Sequence, residues 1–513
     1  MDRAKVILAG LIVLFIGGLC LINMNEPSVF AEEFKKPLLK LPEVSIIASD
    51  DRAQAFLDAD VKAEEFDIKE EAPVQKEESS GFISSAFGRF NTQYYDLKQS
   101  VKLKNFYYTA KLNIKNTSGD RANTEVSLYT PSLILGFPFD VENEFIFSLD
   151  YFDKTMGLPG KTDNVTLDAK RRNSDLKLSG ALEYNLNDLK LNLKPYYNYS
   201  ILNNDVGLED FRHKIVGTYL RVDFDNVFFD IDISENRLLT YYNQVVAHGR
   251  LRLESLDIID NGKILAGLNL FAQEKFGQRP SPFVEFIYQE DEDFLHKFTI
   301  TREFKPIIFN QTYLEDNYVQ VDVNKLRPTR ESSLAYQIDK NISKEWRTNA
   351  LFYLKQTKDF WFWSDTDGDG LYTPEFMEKV NFAGIKLSTE YTWNQAFSHF
   401  FSINIQNNRS KDSAYEFVPL IPKQKISVGL TYKNENNFKI DFFGDYFSRR
   451  YYQGNSRESS SGYFLLSSKA TYEPKDYLTI FVLIDNLLND HYEIVEGYPN
   501  QSRSVMSGVM IKF

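Results

Sequence analysis

The chain has 513 residues, a net charge of −13 and an isoelectric point near 5.1, so a general nucleic-acid role has no electrostatic support. Aromatics reach 15%, with 30 Tyr and 42 Phe, an excess that suits pleated strands and the aromatic belts of membrane barrels. The one cysteine, Cys20, lies in the N-terminal apolar run, and no disulfide framework is expected.

Residues 1–31 have a basic start, an apolar core and a cleavage pattern with Val29 and Ala31 before the cut; they read as an export signal peptide. The apolar run is nearly long enough to act instead as an uncleaved anchor. Lipid attachment at Cys20 is opposed by Leu19, where a small residue is wanted. Residues 32–100 read as a separate exported segment. In it, "LPEVSIIASD" (Leu41–Asp50) sets Val44, Ile46 and Ile47 in a tether, where they could add a strand to another protein's sheet edge or be an ordinary apolar patch. Asp50–Ser80 is acidic and poor in core formers, the composition of a solvated linker.

From residue 101 to 513 the texture changes to alternating segments separated by turn residues. Leu176, Leu178, Gly180, Leu182 and Tyr184 share one face of a strand, while Lys177, Ser179 and Glu183 share the other. Short turns rich in Asn, Asp and Gly fall at 137–143, 186–188, 225–226, 261–263, 290–293, 315–317, 340–343, 393–395, 434–437 and 474–476. Longer polar connections lie between them, among them 155–174, 201–210, 358–379, 409–422 and 450–461. Ten short turns join twenty strands, and one more at each end gives about 22, an even number as closed barrels require. The expected fold is all-β: a transmembrane antiparallel barrel whose first strand covers about 104–115. With short turns on the periplasmic side, residues 32–100 become periplasmic and the long loops face outside.

Few constellations suggest chemistry. "SDTDGDGLYTPEFMEK" (Ser364–Lys379) offers Asp365, Asp367 and Asp369 before Gly370, the alternate carboxylates of a calcium loop. Phe376 stands where the bidentate glutamate belongs and Glu375 falls one place early, so a solvated acidic loop reads equally well. Calcium is the candidate ion and no cofactor is required. The five His (His213, His248, His296, His399, His491) show no metal-ligand spacing, and Ser398 and Ser402 lie across the strand from His399, so no catalytic triad and no enzyme is expected. In "SRRYY" (Ser448–Tyr452), Arg449 and Arg450 suit an interface belt or an anionic ligand.

The tail "FVLIDNLLNDHYEIVEGYPNQSRSVMSGVMIKF" resembles the last two strands of TonB-dependent receptors. An apolar strand runs into Asn486 and Leu487, then Tyr492, Gly497, Arg503 and a strand closing on Phe513. The terminal aromatic is also similar to the signal read by the barrel-insertion machinery. The resemblance implies outer-membrane lipid around the barrel and a TonB partner for the box-like stretch Glu43, Val44, Ser45, Ile46, Ile47, Ala48 and Ser49. It also implies a plug domain, yet only about 50 residues separate Asp50 from the first expected strand. Inward-folded loops, residues 51–100, a separate plug protein or an open pore would each account for that departure. The implied function is solute uptake across the bacterial outer membrane, with a passive porin-like channel or a surface adhesion barrel as alternatives.

Overall fold

The computed structural model describes residues 78–513 apart from 141–142, 159, 162–163, 166–168, 187–188, 205–209, 225–226, 239–241, 260, 274–275, 306–326 and 366–371. The signal-peptide stretch 1–31 and the box-like stretch Glu43–Ser49 lie outside the described residues. Within them, 22 strands form one antiparallel sheet in which chain neighbours pair throughout. The sheet closes because Glu78–Gly88 pairs both with Thr92–Lys102 and with Ser504–Lys512. At the seam, Gly81 N donates to Phe513 O at 2.8 Å and Phe513 N donates to Gly81 O at 2.9 Å. A Cβ on Gly81 would stand 2.9 Å from the Phe513 ring, so this crossing needs a glycine. Neither terminal strand is left as an edge.

The strand count agrees with the sequence reading, but two of its members do not. The barrel begins at Glu78 rather than at residue 101, so Glu78–Gly88 and Thr92–Lys102 belong to the wall and not to the linker. Their Ser, Gly and Ala residues blur the alternation, and Phe90 and Asn91 turn the chain with φ of 60° and 52°. The turn at 103–106 was not among those expected; there Leu103 N donates to Phe106 O at 2.9 Å. The expected turn at 315–317 lies outside the described residues; the strands on either side of that stretch, Phe294–Lys305 and Thr329–Ser343, pair directly with each other. The long connection placed at 358–379 is also shorter, since the flanking strands run on to Ser364 and resume at Thr373.

The alternation sorts the side chains as expected. Ile300, Leu334, Leu354 and Ile405 are exposed on the outer wall, while their neighbours Thr299, Ala335, Tyr353 and Gln406 are buried within. At the turn end the outer wall carries aromatics: Trp346 packs on Tyr391 at 5.8 Å and Tyr391 on Trp393 at 5.0 Å. The inner wall is polar, and many of its buried groups are paired with one another. Ser200 Oγ donates to Asp175 at 2.8 Å, Lys297 meets Glu285 at 3.0 Å and Lys355 meets Glu331 at 3.0 Å.

Candidate functional site: a loop cap across the barrel mouth

At the end opposite the tight turns, the connection 486–503 folds on itself through its own polar groups. Asn486 is buried with φ +48°. Its amide donates to Asp490 O at 2.9 Å and its carbonyl accepts Asp490 N at 2.9 Å, closing the first turn of the loop. Leu487 N donates to Leu466 O at 2.6 Å, tying that turn to the neighbouring strand. Further on, Glu493–Val495 pairs with Tyr498–Pro499 across a turn at Gly497, whose φ of +77° favours glycine. Gly497 N donates to the Glu493 carboxylate at 2.9 Å. Arg503 N donates to Asn489 Oδ1 at 2.9 Å, and Arg503 O accepts from Arg89 at 3.0 Å. The tail residues that carry the family resemblance are therefore mainly the scaffold of one loop.

That scaffold turns Tyr492, Ile494, Val495 and Tyr498 into a buried cluster with Trp363, Tyr372, Leu420, Tyr463 and Leu465. Tyr463 is stacked between Tyr492 at 4.3 Å and Phe447 at 5.1 Å, and Tyr372 meets Tyr498 edge-on at 6.4 Å. The same cluster includes Leu202, Phe211 and Leu238, at the ends of strands that stand across the ring from the 486–503 loop. One apolar core thus crosses the mouth. A second cluster seats Val418 and Ile421 of the 411–423 connection with Leu351, Tyr353 and Phe382 of the inner wall. Gln406 fixes it, accepting from the Tyr353 hydroxyl at 3.0 Å and donating to Pro422 O at 2.9 Å.

Polar bonds tie the cap's loops together. Ser502 N donates to Asp120 at 2.8 Å, and the Tyr372 hydroxyl donates to Glu496 O at 3.5 Å. Burial holds the Tyr372 phenol far above its ordinary pKa, with Glu496 and Asp365 adding to the shift, and pushes the Tyr452 phenol up to about 12. Both stay neutral at physiological pH. Of the "SRRYY" pair, Arg449 is exposed and Arg450 is 5% exposed. The Arg450 guanidinium donates to the Tyr463 hydroxyl at 2.5 Å and lies over the Phe447 and Tyr463 rings at 5.4 and 5.3 Å. Burial lowers its pKa, but a guanidinium remains charged.

The strand count, the closed meander and the inward loops together decide the architecture. It is the fold of outer-membrane transporter barrels. The copper transporter OprC aligns at 13% identity with a TM-score of 0.69, over 87% of this chain and 82% of that one. The FrpB iron transporter from Neisseria meningitidis aligns at 13% identity and 0.69, over 86% and 82%. The ferric yersiniabactin uptake receptor FyuA from Yersinia pestis aligns at 12% identity and 0.64, over 86% and 81%. No protein-family profile matches the chain, and no curated protein matches it in sequence.

The remaining expected site residues divide. Asp365 is buried at the tip of Trp346–Ser364, and Glu375 sits on the returning strand opposite Phe362. Asp367 and Asp369 lie outside the described residues. His399 accepts from the Trp393 indole at 2.8 Å, on a turn-end aromatic patch far from the cap. The sequence reading did not single out Tyr463, Tyr498, Trp363 or Leu420, although runs such as "DFWFW" and "SRRYY" hold aromatics densely where a solvated loop would not.

Proposed function

We propose that this chain is an outer-membrane receptor that takes up a solute through its barrel, with the loop cap as its outer gate. The observation that carries this is the single buried cluster joining loop 486–503 to strands across the ring. A wide barrel without such a barrier would be an aqueous hole; an apolar, aromatic-lined lid supports gated entry and counts against a passive pore. The likeness to a copper transporter, an iron transporter and a ferric yersiniabactin uptake receptor supports the transporter reading. It also supports placement in the outer membrane with the cap outside.

The test is planar-bilayer conductance of the full mature protein beside a variant in which 487–502 is replaced by a short Gly-Ser linker. A quiet wild type and a conducting variant are expected. A large steady wild-type conductance, or silence in both, would remove the cap as gate.

In the energised form of this reading, Glu43–Ser49 engages a periplasmic TonB partner by strand addition. Replacing Ile46 and Ile47 with Pro should abolish uptake while surface ligand binding persists. Unchanged uptake would refute energisation, and no transport in either protein would favour a surface-binding barrel. Calcium held by Asp365, Asp367, Asp369 and Glu375 would stiffen the cap beside Tyr372. Calorimetry that gives no calcium heat with either wild type or Asp367→Ala would discard it.

A further inference from the structure

On the outer wall, five neighbouring strands carry a band of cations above a band of apolar residues. Ile300, Leu334, Leu354 and Ile405 fix which residues face outward. One step nearer the loop end, Arg302 faces Ser332, Ser332 faces Gln356, Gln356 faces Asn381 and Asn381 faces Arg409. A further step up, Arg330 faces Lys358 and Lys358 faces Lys379. One step down, the row is Ile300, Leu334, Leu354 and Ala383. The small Ser332 and Ala383 between larger neighbours leave a groove of about 660 Å³ that Arg302 and Arg409 flank. Its upper part is cationic and its lower part apolar.

Like charges directly opposite one another on a sheet repel. Elsewhere on the outer wall, Arg172 meets Asp153 at 2.6 Å and Arg237 meets Glu235 at 2.5 Å on the same face. Here only Arg330 is so answered among the described residues, by Asp359 at 2.8 Å, which Arg327 shares at 3.7 Å. The nearby Asp412 accepts backbone N–H groups of Glu378 and Ala414 at 2.7 and 2.9 Å. Glu303 has the opposite facing from Arg302 and meets Lys305 at 3.7 Å. Among the described residues, no acid pairs with Arg302, Lys358, Lys379 or Arg409.

The geometry points to a bound lipid: a phosphate-bearing lipid of the outer leaflet, its phosphate on Arg302, Lys358, Lys379 and Arg409 and an acyl chain along Ile300, Leu334 and Leu354. Charge selects the headgroup and the apolar row beneath it selects a lipid over a free anion. The inference rests on the proposed membrane placement with the cap outside, but its readout is binding and not transport.

Full-length protein in detergent is incubated with dioleoyl phosphatidic acid, dioleoylglycerol or inorganic phosphate, and bound species are counted by native mass spectrometry. Wild type should retain the phosphatidic acid, release it as salt rises, and ignore the other two. Removing a cation should weaken retention about fivefold each, so Arg302→Gln, Lys358→Gln, Lys379→Gln and Arg409→Gln together should abolish it. Arg212→Gln with Lys214→Gln, elsewhere on the wall, should change nothing. If the quadruple variant loses the compact gel migration of a folded barrel, Lys379→Gln alone still tests the site. Equal retention of dioleoylglycerol, displacement by inorganic phosphate alone, or undiminished binding in the charge variants would overturn the assignment.

Discussion

At one end of the barrel the turns are held by their own side chains; at the other, the loops are held by residues hundreds of positions away. Asn434 Oδ1 accepts the N–H groups of Asn436 and Phe438 at 3.0 Å each, and Asn394 Oδ1 accepts those of Ala396 and Phe397 at 2.8 and 2.9 Å. Neither asparagine reaches more than four residues along the chain in these bonds. In the cap, Ser502 bonds Asp120 across 382 residues and Arg503 bonds Arg89 across 414. A local turn survives whatever happens elsewhere, whereas a cap exists only once the ring has closed. The difference predicts that damage to the cap opens the mouth and spares the wall, and that damage to a turn stays local and leaves the mouth closed.

The sharpest way to break that contrast is Tyr463→Ala. Its ring is 4% exposed, is stacked on both faces and carries the hydroxyl that accepts from Arg450. Truncating a buried aromatic costs about 3–5 kcal/mol, and here it also strips a buried guanidinium of its acceptor. Limited proteolysis should cut within 486–503 and bilayer conductance should rise, while the circular dichroism of the strands holds. Loss of strand signal in step with the proteolysis would mean that wall and cap fold as one unit. Asn486→Ala is the milder version. It removes both bonds to Asp490 and leaves a non-glycine residue at positive φ, costing about 1–3 kcal/mol. The same proteolysis should then appear without a comparable rise in conductance.

The same contrast explains what could be read from the sequence. Turns announce themselves because Asn and Asp bond their own backbone, and most of the expected ones fall where strands are joined. The failures have physical causes. Leu103–Phe106 turns with one Asn and no Gly. The Ser- and Gly-rich Glu78–Gly88 reads as linker because little of it looks apolar, yet its pairing on both sides makes it wall. The cap was hidden for a different reason. Leu202, Phe211, Tyr463 and Tyr492 meet only across the closed ring, and no local spacing records that meeting.

Alkali probes the cap without mutation. Tyr372 is buried and Tyr452 half-buried, both neutral phenols whose pKa values lie above the ordinary value of 10, Tyr452 at about 12. A raised folded pKa means that the contribution is fully present below pH 10 and is lost as pH rises from there, because the displaced loops bind fewer protons. Conductance and proteolysis at the mouth should therefore increase between pH 10 and 12 and reverse on neutralisation. Tyr372→Phe together with Tyr452→Phe should flatten that dependence. A pH response that persists in the double variant would assign it to other groups.

The smallest effect is expected at the turn end. Asn437 has φ +57° in the four-residue connection 434–437, and Asn434 supplies the hydrogen bonds. Asn437→Ala puts a Cβ residue with no local bonding of its own into the left-handed region, costing roughly 1 kcal/mol; Asn437→Gly should be close to neutral. Both proteins should keep the proteolysis pattern of the cap, because nothing in 434–437 reaches the mouth. If Asn437→Ala instead exposed the 486–503 loop to protease, the turn would be setting the register of Gln424–Lys433 against Phe438–Phe447. Those strands carry Phe447 up to Tyr463, and the two ends of the barrel would then be coupled through the wall.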